Sequence, residues 1–145
     1  MMDVLDLRDQ CIAALAHLDV DISDGNPTRD PSDGASRVVH LDGSGRVRRT
    51  VILGVTTGTA SNRRAAGGSV DRAGYVNALV VAPSRDSCLW LSERARDALA
   101  DQPLPGGGRL TDASYDGEPL PEPDTSPARW SRALTFTATR KRNTP

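Results

Sequence analysis

Apolar residues recur at helical spacing in two stretches of the chain. From Asp3 to Leu18 they return every three or four positions, which predicts an amphipathic helix. From Arg85 to Gln102 the same spacing predicts a second helix, and Ser84 stands where its side chain can cap the first turn. Charged residues occupy the opposite face of this second helix. We therefore expect each helix to bury one face and to expose the other.

Alternating or continuous apolar runs predict several strands. Val20 and Ile22 alternate with polar residues and predict a short strand directly after the first helix. The sequence DGSG lies between two apolar runs and predicts a β-hairpin over about residues 38–55. The continuous run YVNALVVA predicts a central strand that ends before Pro83. Two further strands are expected, one at about residues 109–115 and one in the alternating sequence SRALTFTATR.

Three segments show neither the helical spacing nor the strand alternation of apolar residues. Residues 25–35 are rich in Pro, Gly, Asp and Ser and predict a surface loop. The small and polar residues at about 56–74 predict a mobile arm. The sequence GEPLPEPDTSPARW excludes a helix or a central strand because of its prolines. The pattern as a whole predicts an α+β fold: a single domain over 1–145 with a short basic tail, a mixed or antiparallel sheet of about four to six strands, and two amphipathic helices packed on one face.

Composition narrows the classes of function. The chain has 145 residues, with 18 Lys and Arg against 19 Asp and Glu, so its net charge of -1 gives no overall attraction to nucleic acid or an anionic membrane. Aromatic residues make up 3%, which leaves few stacking platforms for single-stranded nucleic acid. No stretch approaches the roughly 18 apolar residues of a membrane span, and MMDVLDLRDQ lacks the features of a secretory signal. We therefore expect an intracellular protein without membrane contact.

The stretch DVDISDGNPTRD, which begins at Asp19, has the acidic spacing of a calcium loop. Asp19, Asp21 and Asp30 fall at ligand positions. Such a loop needs glycine in its sixth place, where this chain has Asp24, and it needs a second helix directly afterwards. The following PSDGAS prevents that helix. We therefore predict no metal here, and instead a short strand followed by an acidic loop.

No convergent set of catalytic or metal-binding residues is apparent. His17 falls on the polar face of the first helix and His40 on a strand, and neither has a second ligand at zinc spacing. Cys11 and Cys88 fall on apolar helix faces, which favours buried free thiols over a redox pair. Motifs for a nucleophilic serine, a phosphate loop or a dinucleotide are missing. The sequence thus predicts neither an enzyme nor a cofactor.

Charged clusters supply the remaining functional candidates. Arginine doublets lie in the hairpin and in the arm, and the tail contains RKR, while aspartates mark the acidic loop. Solvated strand and loop faces explain the basic doublets adequately, and phosphate contact is the alternative. The candidate contact residues are Asp24, Asp30, Asp33, Arg48, Arg49, Arg63, Arg64, Arg140 and Arg142.

Four blocks of the sequence carry a family resemblance: LRDQCIAALAHL, SRVVHLDGSG, NALVVAPSRDSCLWLSERARDALADQPL and PDTSPARWSRALTFTATR. Together they resemble the tail terminator proteins of long-tailed bacteriophages, especially those of actinobacterial hosts. In that family a first helix leads into a short strand and a hairpin. A central strand then precedes a helix ending R-A-R-x-A-L, and the last strand is rich in Thr and Arg. The resemblance covers nearly the whole chain apart from the arm.

The resemblance implies a structural protein of the virion, located at the head-tail joint and assembled in the host cytoplasm. Subunits of this family form a ring, commonly a hexamer, which caps the tail tube protein and stops its polymerisation. The ring also meets the head-completion or stopper protein, and DNA passes through its channel only as cargo. We expect the arm and the acidic loop to contact a neighbouring subunit, the tube or the channel. The alternatives are another head-to-tail joining protein, such as a stopper or adaptor, and a small DNA-binding module.

Overall fold

A computed structural model of the protein describes residues 4–57, 72–104, 108–114 and 117–139. In chain order its elements are α1 (Val4–Leu15), a 3-10 turn (Ala16–Leu18), β1 (Asp21–Ser23), β2 (Thr28–Arg29), β3 (Ser36–Arg37), β4 (Thr50–Thr57), β5 (Arg72–Ala82), α2 (Arg85–Leu99), β6 (Arg109–Asp112), β7 (Leu120–Glu122) and β8 (Arg129–Thr139). Neither α1 nor α2, the helices of these described ranges, is long and apolar enough to cross a membrane.

Six of the strands form one mixed sheet. Its order is β1-β4-β5-β8-β6, and β7 pairs with the beginning of β8 on the edge that β6 shares. β1 runs parallel to β4, whereas the other pairings in the sheet are antiparallel. β2 and β3 form a separate two-stranded ladder. The predicted α+β class and the expected size of the sheet are confirmed.

Alternation along the long strands produces the main core. The register places Ala78 of β5 between Leu53 of β4 and Leu134 of β8, so every second residue of these strands points to the same side. Buried side chains of both helices join these strand residues in one cluster. The fully buried helix residues of the cluster are Leu7, Cys11, Leu15, Cys88, Leu91, Ala95 and Leu99. The predicted apolar stripes are confirmed at these positions, as is the burial of both free cysteines. Leu5 and Ile12, which were expected to widen the stripe of the first helix, are exposed.

A smaller apolar cluster lies on the opposite face of the sheet. Val39 and Val47 pack against Val81 of β5, whose chain neighbours Val80 and Ala82 belong to the main core. Because successive side chains of a strand point to opposite faces, the sheet itself separates this cluster from the main core. The segment before β4 therefore covers part of the sheet face opposite the main core.

The hairpin predicted over residues 38–55 forms only close to its turn, and the strand expected in its first half is absent from the described residues. Pairing around the DGSG turn is limited to a bridge between Leu41 and Val47 with two flanking backbone hydrogen bonds, from the amide of Asp42 to the carbonyl of Arg46 and from the amide of Arg48 to the carbonyl of His40, and β4 begins only at Thr50. The apolar residues of the first half pack onto the sheet face instead of pairing along an edge. The turn itself is well ordered by hydrogen bonds, since the carboxylate of Asp42 accepts from the amide of Ser44 at 2.8 Å.

Several loops and strands begin or end at residues other than those predicted. The loop predicted at 25–35 contains β2, whose partner β3 follows it directly. The arm predicted at about 56–74 is shorter at both ends, because β4 continues to Thr57 and β5 begins at Arg72. Residues 58–71, the rest of that prediction, lie outside the described residues. The proline-rich segment contains β7, and this short edge position is one that a strand with proline tolerates.

Candidate assembly surfaces at two edges of the sheet

An exposed tryptophan forms the centre of one surface. Trp90 lies on α2 outside its apolar stripe and is 42% exposed. The guanidinium of Arg94, one helical turn further on, lies 4.9 Å from the centroid of the Trp90 ring. The guanidinium of Arg49, directly before β4, lies 5.0 Å from the same centroid. Both are cation–π distances. We call Trp90, Arg49 and Arg94 the tryptophan patch.

Two shallow grooves meet at the tryptophan patch. One of about 820 Å³ runs between residues 19–21, residues 46–49 and the start of α2. The other, of about 680 Å³, lies between the end of α1 and α2. Within the described residues, Arg49 and Arg94 contact the tryptophan ring but form no ion pair with a carboxylate. The patch thus combines an exposed aromatic ring, two guanidinium groups over it and space on either side, and Asp86, Glu93 and Asp97 line the same grooves. Exposed Trp and Arg are residue types enriched at protein interfaces.

Arg48 forms an ion pair with Asp21, whereas its neighbour Arg49 contacts Trp90. Its Nε and Nη2 donate to the two carboxylate oxygens of Asp21 at 2.7 and 3.2 Å. This bidentate pair joins β1 to the residues that enter β4. Of the predicted arginine doublet, one member therefore stabilises the edge of the sheet and the other belongs to the exposed patch.

The opposite edge of the sheet presents a second apolar residue. Leu120 of β7 is 67% exposed, the largest value among the large hydrophobic residues described. Pro119 and Pro121 flank it in the sequence. Residues 117–127 contain three carboxylates and no Lys, Arg or His. We call residues 117–127 the proline-rich edge segment.

The predicted acidic loop is organised by an arginine of its own chain. Asp30 is fully buried. Its carboxylate accepts hydrogen bonds from the amides of Ser32 at 2.9 Å and Leu41 at 2.8 Å, and from Nη1 of Arg37 at 3.0 Å. Arg37 also donates to both carboxylate oxygens of Asp33 at 2.6 Å. Two of the three aspartates proposed as contacts to another subunit thus already have an arginine partner within the chain.

These contacts determine the charge state of the loop. Burial alone raises the pKa of Asp30, but the hydrogen bonds it accepts outweigh burial and hold this pKa well below its usual range. The hydrogen bond from Arg37 is the main cause that lowers the pKa of Asp33. Asp24 is exposed, and the amide of Asn26 lowers its pKa by donating a hydrogen bond at 2.9 Å. All three side chains are therefore carboxylates at neutral pH.

The remaining titratable groups were compared for a common site within the described ranges. In the described part of the chain, no group of three or more His, Cys, Asp and Glu is placed to hold a metal ion. The Nε2 atom of His40 lies 2.8 Å from the hydroxyl of Thr28. Burial raises the pKa of the Cys11 and Cys88 thiols to about 11 each. Both cysteines are therefore protonated at neutral pH.

Sequence reasoning identified Arg49 but missed Trp90 and Leu120. The available signals were a tryptophan outside the apolar stripe of α2 and a leucine between two prolines. The predicted contact residues Arg63, Arg64, Arg140 and Arg142 lie outside the described residues. Comparison with protein-family models and with curated proteins finds no match to the chain.

Proposed function

We propose that this protein is a structural virion protein that forms a ring at the end of a phage tail tube. The ring stops tube polymerisation and joins the tail to the head-completion complex. The class of function comes from the resemblance to tail terminator proteins. The order of the elements supports it, because α1 leads into a short β1, β5 is a central strand followed by α2, and the last strand of the chain, β8, pairs with β5 inside the sheet.

One observation carries the proposal: two unlike exposed surfaces lie at opposite edges of the same sheet. In a head-to-tail ring each subunit contacts its two neighbours through two different patches. The tryptophan patch lies beside the β1 and β4 edge, since Arg49 directly precedes β4. The proline-rich edge segment contains β7, which pairs with β8 near the other edge. A subunit with this arrangement can associate repeatedly without using either surface twice.

The β4 edge offers backbone groups as well. β1 pairs with β4 only at residues 50–52. No strand in the described residues pairs with the outer edge of β4 from Leu53 to Thr57. Unpaired strand edges present N–H and C=O groups that another chain can bond. A strand of a neighbouring subunit or of the tail tube protein can therefore pair with this edge of β4.

DNA binding is the second candidate function, and the charges of Arg49 and Arg94 are the observation that favours it. Guanidinium groups without a carboxylate partner are suited to phosphate contact. Binding of this kind weakens steeply as salt concentration rises. A purified chain that binds duplex DNA at low salt and loses it on raising the salt, while remaining monomeric with tail tubes, would favour this alternative.

The capping function is tested by adding the purified full chain to polymerising tail tube protein. We expect the tubes to stop growing at short, narrowly distributed lengths and to carry extra density at one end in electron micrographs. Tubes polymerised with heat-denatured protein serve as the control. Tubes that reach the control length, with both ends bare, would contradict the proposed function.

A further inference from the structure

The outer edge of β4 carries a row of backbone groups beyond the end of β1. The carbonyl of Arg49 accepts a hydrogen bond from the amide of Asp21 at 3.1 Å, so it points away from β5. Because alternate residues of a strand direct their backbone groups to the same side, those of Leu53, Val55 and Thr57 point outward as well. None of the three pairs on that side with a strand of the described residues. We call residues 53–57 the open edge, and its row of donors and acceptors fits another extended chain.

The sequence of the open edge lacks the features that block strand pairing. Proteins commonly protect an exposed edge with proline, with charge or with a covering segment. Residues 53–57 contain neither proline nor a charged residue. Elsewhere in the sheet, β7 has Pro121 at its centre, and the outer side of β6 is covered because the amide of Leu110 donates to the carbonyl of Gln102 at 2.9 Å. Among the described strands of a second copy, the open edge is therefore the longest one left to pair with the open edge of the first.

The open edge is complementary to itself when two copies run antiparallel. With Val55 of one copy opposite Val55 of the other, Leu53 of each copy lies opposite Thr57 of its partner. Each of these pairs exchanges two N–H···O bonds, which gives about six backbone hydrogen bonds in the contact. A two-fold axis relates the copies, and two-fold contacts are the commonest between identical subunits. β1 ends at Ser23, opposite Ile52, and so leaves the whole row accessible.

Exposed apolar residues of α1 lie beside the open edge. Ile12 is 36% exposed and lines a groove of about 510 Å³ together with Leu53 and Ile22. Leu5 is exposed as well and stands about two helical turns before Ile12, so both residues lie on one side of α1. The two-fold axis is normal to the joined sheet and keeps both copies of α1 on the same face of it. Pairing of the open edges therefore brings these apolar residues of the two copies towards each other.

The charged residues of this groove are balanced within the chain. Asp21 accepts hydrogen bonds from Arg48. The pKa of Asp24 is lowered mainly by the hydrogen bond from the amide of Asn26, and the positive charge of Arg8 also lowers it. The groove thus has no excess of one charge that repels an identical copy. Selection of the partner rests on the backbone groups and on the apolar residues beside them.

We infer that two copies of the protein pair through their open edges, antiparallel about a two-fold axis at Val55, with Ile12 and Leu5 of both α1 helices packed across the junction. The contact uses neither the tryptophan patch nor the proline-rich edge segment. It therefore goes beyond the proposed ring and does not rest on it. A strand of the tail tube protein on the same edge is the competing occupant that the experiment distinguishes.

Cysteine crosslinking of a single variant tests the two-fold contact. In this pairing the exposed Thr56 lies opposite Gly54 of the other copy, so the two Thr56 positions are diagonal neighbours about 7–8 Å apart. Full-length Thr56→Cys is treated with a short bismaleimide in the absence of tail tubes. We expect a crosslinked dimer at about tenfold the yield of the control Leu120→Cys, which lies at the other edge of the sheet. The native Cys11 and Cys88 are buried and do not compete.

A charge pair across the axis provides a measurement that needs no cysteine. Thr56→Lys places two lysines beside the axis and should weaken the dimer about tenfold in sedimentation velocity, because the unfavourable pair is formed by both copies. Adding Gly54→Glu places a carboxylate opposite each lysine and should restore the dimer. A Cβ at Gly54 lies 4.0 Å from the carbonyl oxygen of Asn77, an ordinary contact, so the fold accepts this change. Thr111→Lys, at an exposed threonine of β6, is the matched control and should leave the dimer unchanged.

The outcomes separate the inference from the proposed function. A wild-type chain that sediments as a monomer at every concentration without tubes would overturn the pairing, whether or not it caps tubes. If that monomer caps tubes and Thr56→Lys abolishes capping, the occupant of the open edge is a strand of the tube protein and the inference is wrong. Equal crosslinking of Thr56→Cys and Leu120→Cys, or a double variant that stays as weak as Thr56→Lys, also contradicts the contact. A dimer that responds as expected, in a chain that leaves tubes uncapped, supports the pairing and contradicts the proposed function alone.

Discussion

Asp30 is the residue on which the loop between β1 and β4 depends. Its buried carboxylate bonds two amides and Arg37 at once, so it links β2, β3 and the segment that follows them. A buried carboxylate is stable only when such bonds replace the water it has lost. The residue that the sequence suggested as a contact to another molecule is instead an internal support of the loop.

Asp30→Asn is expected to lower the melting temperature at pH 7 by several degrees, because an amide nitrogen replaces one acceptor oxygen among donors. The pKa of Asp30 is lower in the folded chain than the roughly 3.9 of an unfolded aspartate. Its contribution to stability is therefore present above about pH 4 and is lost as the pH falls towards the folded pKa. Thermal unfolding of the wild type and the variant from pH 7 to pH 2.5 should show the two curves converging below about pH 4.

Asp9→Asn provides the control for this pH series, since Asp9 is a largely exposed residue whose nearest ion-pair contact is at 3.8 Å. Its melting temperature should follow that of the wild type throughout. A difference between the wild type and Asp30→Asn that is constant or grows towards pH 2.5 would contradict the assigned role of the carboxylate.

The aromatic residues Phe136 and Trp90 are expected to contribute differently to the stability of the fold. Phe136 is fully buried in the main core, whereas Trp90 is 42% exposed and contacts cations. Phe136→Ala should lower the free energy of unfolding by about 3–5 kcal/mol. Trp90→Ala should cost about 1–2 kcal/mol at most, since an exposed cation–π contact contributes about 0.5–1 kcal/mol. Urea denaturation measures both values, and equal losses would contradict the separation of core from surface.

At the scale of elements, α2 begins at an N-cap residue, Ser84, that was predictable from the sequence. The amide of Ser87 donates to Oγ of Ser84 at 3.1 Å, and the backbone of Ser84 is extended, as an N-cap residue requires. Ser84→Ala should therefore lower the free energy of unfolding by about 1 kcal/mol, measured by urea denaturation. Ser87→Ala keeps the amide donor and should cost less. The cap is unimportant if the two variants lose the same amount.

Elements with a regular period were predictable from the sequence, and elements that depend on distant partners were not. The apolar spacing of α2 and the alternation of β8 define their buried faces directly. β2 and β3 are two residues long, and the bonds of Asp30 to the residues around them have no local pattern that reveals them. The residues before β4 have strand-like composition but pack on the face of the sheet, because Val81 of the later strand β5 provides their apolar contact.

The candidate site was predictable only in part for the same reason. Arg49 drew attention as one of a basic doublet, but its partner Trp90 lies 41 positions further along and on another element. Leu120 appeared to belong to a loop, because prolines argue against a strand unless a neighbour provides an edge. Both surfaces become recognisable only when the sheet order is known.

At the scale of the whole molecule, the feature that bears on the proposed assembly is the placement of the two candidate surfaces at different edges of the sheet. The main core joins both helices to the sheet, while the tryptophan patch and the proline-rich edge segment lie near its two edges. Interfaces that hold subunits stably bury on the order of 1,600 Å² in total. The edge of β4 that no described strand pairs with, and the surfaces flanking the patch, could complete such an area.

Native mass spectrometry of the full chain, alone and after incubation with purified tail tubes, tests the proposed ring most directly. We predict a discrete species at a whole-number multiple of the 15.4 kDa chain, with a hexamer as the expected ring, either in solution or released from tube ends. The same copy number should appear at different protein concentrations, because a closed ring has no free end to extend. A chain that remains a monomer under both conditions, or that forms a ladder of open oligomers without a preferred size, would contradict the account.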